Sequence, residues 1–240
     1  MIEVLAETGS TNADLAARLR SGQPVREGDW LVADRQLAGR GRQGRTWFDG
    51  RGNFMGSTIV RLGAHDPAPA TLALVVGLAA FETVQPLLPN PGELSLKWPN
   101  DLLLRQAKLA GILLEREGDA IVVGIGVNLV AAPDLPDRAT IALSQVGPAP
   151  DRGHFAQALA RQLETELERW RTFGVEPIIK RWTVAAHEEG TSLRVQPPGE
   201  EPVTGQFAGL TGEGILRLRL PGGAIRTIHA GDVMLAREEG

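Results

Sequence analysis

Residues 108–129 read KLAGILLEREGDAIVVGIGVNL and contain two short runs of β-branched and large apolar residues. We interpret residues 112–115 and 121–127 as strands, because such side chains suit a pleated, half-buried sheet. Working outward, the same criteria predict strands at residues 30–33, 54–61 and 94–98. Helices are predicted at residues 11–20, 70–84 and 154–173. Strands and helices therefore alternate through the first part of the chain.

The character of the sequence changes near residue 185. Five short β runs follow, and turn-forming stretches such as PPGEEP at residues 197–202 separate them. These runs lie at residues 192–195, 203–208, 215–220, 224–228 and 233–236. We therefore predict an α+β protein in two parts. Residues 1–184 would form a mixed β-sheet flanked by helices, and residues 185–240 a small antiparallel β-barrel.

Composition excludes several classes of function. The 240-residue chain has no cysteine, which rules out disulfides, thiolate metal sites and a cysteine nucleophile. A formal net charge of −4 does not favour general binding to nucleic acid or anionic lipid. The first residues lack the features of a signal peptide, and no apolar run reaches the roughly 20 residues that span a membrane. We expect a cytoplasmic protein without membrane contact.

The densest chemical signal is the stretch GRGRQGR at residues 39–45, which follows a predicted strand. Glycine lets a backbone approach a ligand closely, and guanidinium groups bind phosphate or carboxylate through paired hydrogen bonds. The pattern therefore indicates an anion-binding loop. A solvated loop and an RGG-like nucleic-acid segment are alternatives that composition alone leaves open. The spacing differs from that of a Walker A loop.

Three weaker patterns accompany this loop. The stretch KWPND at residues 97–101 groups a lysine, an amide and a carboxylate, which could meet phosphate, ribose or Mg²⁺ but also suit an ordinary β-turn. Lys108 begins an otherwise apolar strand, so it either faces solvent or has an anionic partner. Gly124 and Gly126 lie inside a β-branched strand. They indicate either a β-bulge or the close approach of a ligand or another backbone.

Taken in order, five motifs resemble those of biotin protein ligases. They are GSTN at 9–12, QLAGRGRQGRTW at 36–47, KWPND at 97–101, KLAGILLE at 108–115 and GIGVNL at 124–129. The resemblance implies a class II synthetase-like mixed sheet followed by an SH3-like β-barrel. It implies a ligase that uses ATP and Mg²⁺ to activate biotin as biotinyl-5′-AMP. The implied acceptor is one lysine of a biotin carboxyl carrier protein or domain of the acetyl-CoA carboxylase type.

The resemblance also implies roles for the matching residues. Lys108, Arg40 and Arg42 are the expected catalytic residues, and Asp101 is the expected magnesium ligand. The expected biotin-binding residues are Ser10, Thr11, Asn12, Gln36, Gly39, Arg40, Gly41, Arg42, Lys108 and Gly111. The expected nucleotide-binding residues are Arg42, Trp47, Lys97, Asn100, Asp101 and Asn128.

Some members of this family double as repressors of the biotin operon and carry a helix-turn-helix before the catalytic part. Because GSTN begins at residue 9, we expect no DNA binding. Homodimerisation is expected from the resemblance alone. Two alternatives stay open. One is a lipoate protein ligase, whose motifs match less well, and the other is a non-catalytic nucleic-acid-binding module, which the acidic balance disfavours.

Overall fold

The computed structural model describes residues 1–236, in which two β-sheets and four α-helices are the main elements. The strands of the larger sheet are β1 (Ile2–Leu5), β2 (Trp30–Ala33), β3 (Phe54–Arg61), β4 (Leu94–Lys97), β5 (Asp101–Leu104), β6 (Ala107–Glu117) and β7 (Ala120–Val127). The strands of the smaller sheet are β8 (Ser192–Gln196), β9 (Val203–Leu210), β10 (Leu216–Arg219), β11 (Ile225–Ile228) and β12 (Asp232–Leu235). The helices are α1 (Thr11–Arg20), α2 (Leu72–Val84), α3 (Arg152–Phe173) and α4 (Glu176–Ala185).

The larger sheet is mixed and has the strand order β1-β2-β3-β7-β6-β5-β4. Strands β1 and β2 pair in parallel, and the other neighbours are antiparallel. Strand β7 lies at the centre and pairs with β3 and β6 without a shift in register. One cross-strand row joins Lys97, Asp101, Gly111 and Gly126. The side chains of Lys97 and Asp101 thereby lie on one face of the sheet next to two positions that have no side chain.

The two faces of this sheet are covered differently. Helices α2 and α3 pack on one face, where large side chains such as Phe54 and Trp170 are fully buried in the main core. Helix α1 packs on part of the other face, and its Leu15 joins a smaller core with Ile59 and Val122. Helix α1 is only 10 residues long. The same face therefore continues beyond the helix, and the candidate site lies there.

The smaller sheet is antiparallel and has the order β11-β10-β9-β8-β12. Its buried side chains, among them Val195, Phe207 and Leu218, belong to the same apolar core as the larger sheet. Helix α4 ends at Ala185, where the change in sequence character is predicted. The division into domains at that residue stays a prediction, because the two sheets share their core.

Most predicted elements are confirmed. The helix at residues 11–20 and the strands at 30–33 and 54–61 have the predicted bounds, while the strand predicted at 112–115 is the middle of the longer β6. The sequence does not predict β1, β5 or α4. A β-turn does occupy residues 98–100, but Asp101 already belongs to β5. Helix α4 was not predicted, although its two buried residues, Ile178 and Trp182, lie one helical turn apart.

The apolar stretch Pro69–Leu87 is 19 residues long and, by composition, could cross a membrane, contrary to the expectation that no run is long enough. In the fold, 61% of its most apolar window is buried inside the protein. A helix that is apolar on all sides is typical of a protein core as well as of a membrane span. This stretch is the core helix α2 with a short 3₁₀ turn at each end.

A buried carboxylate ties three helices together. Glu166 of α3 is fully buried and accepts hydrogen bonds from Arg169 at 2.5 Å and from Arg181 of α4 at 2.5 and 2.9 Å. Arg181 also pairs with Glu82 of α2. Because a buried charge is costly unless it is paired, this cluster fixes how the three helices pack.

Replacing Glu166 with alanine is expected to lower the free energy of unfolding by about 3 kcal/mol, because Arg181 then loses its buried partner. The matched control is Glu168→Ala, on the exposed side of the same helix, which should stay within about 0.5 kcal/mol of the parent. Urea unfolding followed by circular dichroism measures both variants. Equal unfolding midpoints for the two would contradict the role assigned to Glu166.

Candidate active site

The N-terminus of α1 is a compact polar turn. Ser10 caps the helix, since its hydroxyl accepts a hydrogen bond from the backbone of the first turn. The backbone N–H and the hydroxyl of Thr11 both donate to Gln36 Oε1, at 2.8 and 3.0 Å. The hydroxyl of Ser57 donates to Asn12 Oδ1 at 2.6 Å and lies 2.7 Å from the Thr11 hydroxyl. All five side chains are buried, so the turn presents polar groups in fixed positions.

Glycines of the central strands make room for side chains that lie across the sheet. A methyl group at Gly124 would stand 2.2 Å from Asn12 Oδ1, and one at Gly126 would stand 2.2 Å from the ring of Trp47. A methyl group at Gly111 would stand 3.0 Å from the same ring. The β-bulge alternative is wrong, because β7 keeps its register along its whole length. Side chains, rather than another backbone, make the close approach.

The indole of Trp47 lies on this glycine floor. Its ring centre is 5.8 Å from Lys108 Nζ, a distance at which an ammonium group interacts with an aromatic face. Within residues 1–236 the enclosed Nε1–H of Trp47 has no hydrogen-bond partner. An unpaired buried donor is costly, so a ligand that offered an acceptor here would be stabilised.

Asp101 lies between two lysines. Its Oδ1 is 2.6 Å from Lys108 Nζ, and its Oδ2 is 2.9 Å from Lys97 Nζ. Burial by itself would raise the pKa of this carboxyl group, but the charges and hydrogen bonds of Lys97 and Lys108 outweigh burial and lower the pKa of Asp101 to about 2. Of the two alternatives for Lys108, facing solvent or pairing with an anion, the structure shows the second. The three groups together carry one net positive charge.

The Gly/Arg loop, residues 39–45, lies beside this cluster. Its turn is closed by a hydrogen bond of 2.7 Å from the backbone N–H of Gly41 to the carbonyl of Arg45. Arg42 Nη1 donates to Asn100 Oδ1 at 3.1 Å, which connects the loop to the KWPND turn. Arg40 is exposed. The loop is therefore connected through Arg42 to the turn between β4 and β5, while the guanidinium group of Arg40 faces solvent.

Strand β12 of the smaller sheet reaches both the loop and the lysines. Arg45 forms an ion pair with Asp232, and Lys97 Nζ donates to the carbonyl oxygen of Val233 at 2.8 Å. The indole N–H of Trp98 donates to the carbonyl of Gly214 at 3.1 Å. The smaller sheet thus supports the site from one side.

The sequence gives no sign of the role of Asn53, since a single asparagine in a loop carries no motif. Its buried amide accepts hydrogen bonds from the backbones of Val130 and Ala131 at 2.9 and 3.1 Å and donates to the carbonyl of Ala131 at 2.7 Å. Asn128, a predicted nucleotide contact, is buried and donates to the carbonyl of Ile141 at 3.2 Å. The two asparagines therefore hold both ends of residues 130–140.

A cavity of about 570 Å³ is lined by this segment, and its wall includes Ala132, Leu135 and Arg138. The backbone N–H of Lys108 donates to Ala139, in the cavity wall, at 2.9 Å. The cavity therefore lies at the base of the strand that carries Lys108. Sequence patterns could not locate it, because its wall is an irregular loop without a motif.

The predicted residues fall into three neighbouring groups. The polar turn contains Ser10, Thr11, Asn12 and Gln36; the glycine floor contains Gly111 and Trp47; the charged cluster contains Lys97, Asp101 and Lys108, with Asn100 and Arg42 beside it. Gly39 packs between Gln36 and Trp47. Asn128 lies outside these three groups, and its amide donates to the carbonyl of Ile141.

The geometry does not fit Asp101 as a magnesium ligand. Both of its oxygens are engaged by ammonium groups, and a divalent cation there would stand against two like charges. Over the described part of the chain, no three His, Asp or Glu side chains converge in a manner that could hold a metal ion. The donor set gives the expected magnesium role of Asp101 no support.

Comparison with known proteins matches two family descriptions to the chain. Residues 5–129 match the biotin/lipoate A/B protein ligase family, and residues 194–235 match the biotin protein ligase C terminal domain. The biotin--[acetyl-CoA-carboxylase] ligase of Mycobacterium tuberculosis is 39% identical over 98% of this chain and 89% of its own length. The enzyme of the same name from Paracoccus denitrificans is 37% identical over 92% of this chain and 95% of its own length.

The fold is similar to that of a solved structure. The biotin protein ligase from Aquifex aeolicus in complex with biotin and ATP superposes with a TM-score of 0.84 and 28% sequence identity. The superposition covers 99% of each chain. The likeness therefore extends over both sheets.

Replacing Asp101 with asparagine is expected to remove an interaction that depends on pH. Because folding lowers the pKa of Asp101 from 3.8 to about 2, its ionised form stabilises the protein above pH 3.8, and this is lost as the pH falls towards 2. The shift corresponds to about 2 kcal/mol. The difference in unfolding free energy between parent and Asp101→Asn should shrink by that amount between about pH 5 and about pH 2.

Chemical unfolding at a series of pH values measures this difference. The control is Asp119→Asn, whose side chain is 77% exposed and whose effect should not change in the same way. An effect of Asp101→Asn that is the same at both ends of the pH range would show that the two lysines do not set the pKa of Asp101.

Proposed function

The chain belongs to the biotin/lipoate A/B protein ligase family and is an ATP-dependent biotin protein ligase, and from this premise we propose which of its residues carry out the reaction. The observation that carries the proposal is the cluster of Lys97, Asp101 and Lys108, whose net positive charge lies between the polar turn and the cavity. Biotin brings a carboxylate and ATP a polyphosphate. A cationic centre where the two anions meet is what their reaction requires.

In the first step the biotin carboxylate attacks the α-phosphorus of ATP, giving biotinyl-5′-AMP and pyrophosphate. Lys108, with Arg40 and Arg42 from the loop, offsets the negative charge that builds up on the phosphate. Each such contact is expected to lower the barrier by about 2–4 kcal/mol. Asp101 is a positioning residue in this scheme, because it holds the two lysines and touches neither substrate.

Biotin lies against the polar turn and the glycine floor. Ser10, Thr11, Asn12 and Gln36 offer fixed hydrogen-bonding groups for its polar ring, while Gly111 leaves room for Trp47 and Lys108 to lie beside the ligand. Gly39 and Gly41 allow the loop backbone to come equally close from the other side. This arrangement directs the biotin carboxylate towards Lys108.

The nucleoside of ATP occupies the cavity lined by residues 130–140. Its wall combines apolar side chains with Arg138, which suits a base and a phosphate together. The pKa of Arg138 is raised, mainly by its hydrogen bond to Asp137, so the guanidinium group stays protonated. Trp47, Lys97 and Asn100 stand on the loop side of the nucleotide, and Asn128, with Asn53, keeps the cavity wall in place.

In the second step the amine of a carrier lysine attacks the acyl carbon of the adenylate, and AMP leaves. An acyl-adenylate reacts with water, so the site must exclude solvent until the carrier arrives. The loop of residues 39–45 covers the intermediate in this scheme. Relatives are named biotin--[acetyl-CoA-carboxylase] ligases, which supports a biotin carboxyl carrier protein or domain of that carboxylase as the acceptor. A cytoplasmic location, a homodimer and the absence of DNA binding stay predictions.

The activity is tested by incubating the protein with biotin, Mg²⁺-ATP and a biotin carboxyl carrier domain, and by measuring the intact mass of the carrier. We expect one biotinyl increment that requires ATP. Lys108→Gln should slow its appearance by about 10²-fold or more, because the developing charge on the phosphate loses a contact.

Parallel reactions contain lipoate in place of biotin. A lipoyl increment without a biotinyl one would make the chain a lipoate ligase. An unmodified carrier in both reactions, with an active reference ligase in the same buffer, would remove the proposed function.

The cavity assignment is tested with Ala132→Trp, which fills the space with an indole ring. The KM for ATP should rise by about tenfold or more, while the KM for biotin should stay within about twofold. Gln23→Trp, in a separate surface cavity, is the matched control and should change neither constant. Equal increases in the two KM values of Ala132→Trp would place the nucleotide elsewhere.

A further inference from the structure

The chain is unusually poor in lysine. It contains three lysines, at positions 97, 108 and 180, but 22 arginines. Both residues provide positive charge, yet their chemistry differs. A lysine amine can lose its proton and act as a nucleophile, whereas the guanidinium group of arginine stays protonated. Almost all of the positive charge on this protein is therefore carried by groups that an activated acyl compound does not modify.

Two of the three lysines are held inside the site. Lys97 and Lys108 have side chains that are 13% and 20% exposed, and both ammonium groups pair with the carboxylate of Asp101. Lys97 Nζ also donates to the carbonyl of Val233. An amine that makes these contacts as an ammonium ion has no lone pair for attack, and releasing it would leave the buried carboxylate with one of its two ammonium partners.

Lys180 is in the opposite situation. It lies on the solvent side of α4, away from the buried Ile178 and Trp182, and its side chain is 74% exposed. Its partner Glu176, one turn earlier at 2.7 Å, is 77% exposed. Surface ion pairs of this kind are weak and open readily. The amine of Lys180 is thus available to a reagent in solution.

We propose that Lys180 is the self-modification site of this enzyme: the one lysine that its own acyl-adenylate biotinylates. The neutral amine of Lys180 attacks the acyl carbon, a C–N bond forms, the bond between the acyl carbon and the phosphate oxygen breaks, and AMP leaves with its electron pair. The amine loses its extra proton to solvent. The reagent is biotinyl-5′-AMP released from the site, so this inference rests on the proposed function.

The experiment has two arms. In the first, the enzyme is incubated with biotin and Mg²⁺-ATP without carrier. In the second, biotinyl-5′-AMP is added directly, so that labelling does not depend on synthesis by the chain. A free lysine-containing peptide is present in both as a reference. Cleavage at acidic residues separates the three lysines into residues 94–101, 102–115 and 169–188, because the bond between Glu176 and Pro177 resists cleavage, and mass spectrometry measures the biotin on each.

In the second arm, Lys180 should be labelled at a rate within about tenfold of the reference peptide, and Lys97 and Lys108 at least about 100-fold more slowly. Lys180→Arg should lose the label carried on lysine and biotinylate the carrier at the parent rate. Labelling of Lys97 or Lys108 at a rate close to that of Lys180, or an unlabelled Lys180 beside a labelled reference, would overturn the proposal. Success in the second arm together with an unmodified carrier would instead remove the proposed function alone.

Discussion

The site depends on one carboxylate. Asp101 is almost fully buried and is tolerable there only because Lys97 and Lys108 contact its two oxygens. The three residues come from β4, β5 and β6, so the ion pairs require these strands to keep their register. Lys97 also contacts β12, which extends the same constraint to the smaller sheet. A net positive charge held in this way needs little rearrangement when an anionic substrate arrives.

Much of the fold could be predicted because local patterns and packing agree. Helix α1 has a serine cap and an apolar face, and β2, β3 and β7 are runs of buried residues, so their bounds were predicted to within a residue. The motif residues were singled out from the sequence and lie close together in the fold, while their roles stay predictions. Asn53 could not be singled out, because its hydrogen bonds join it to backbone groups of Val130 and Ala131, far away in the sequence. The ion pairs of Asp101 could not be predicted for a related reason, since a sequence does not show that two lysines reach the same carboxylate.

The glycines of β6 and β7 leave space on one face of the sheet for the side chains of the candidate site. Gly111 and Gly126, which are cross-strand partners, place no side chain on that face, and the ring of Trp47 lies in the space. The Trp47 ring on these glycines lies near the polar turn and the cluster of Lys97, Asp101 and Lys108. In the proposed function, the turn meets the ring of biotin and the cluster meets the carboxylate and the phosphates. The absence of side chains at Gly111, Gly124 and Gly126 therefore makes room for the residues of the candidate site.

In the proposed mechanism, Asp101 acts through the lysines and not directly on ATP or a metal ion. The most direct measurement is the rate of pyrophosphate release from biotin and Mg²⁺-ATP, without carrier, for the parent, Asp101→Asn, Lys108→Gln and the double variant. If Asp101 acts by positioning Lys108, the double variant will lose clearly less than the product of the two single losses. A loss equal to that product would show that Asp101 acts independently of Lys108 and would contradict its role as a positioning residue.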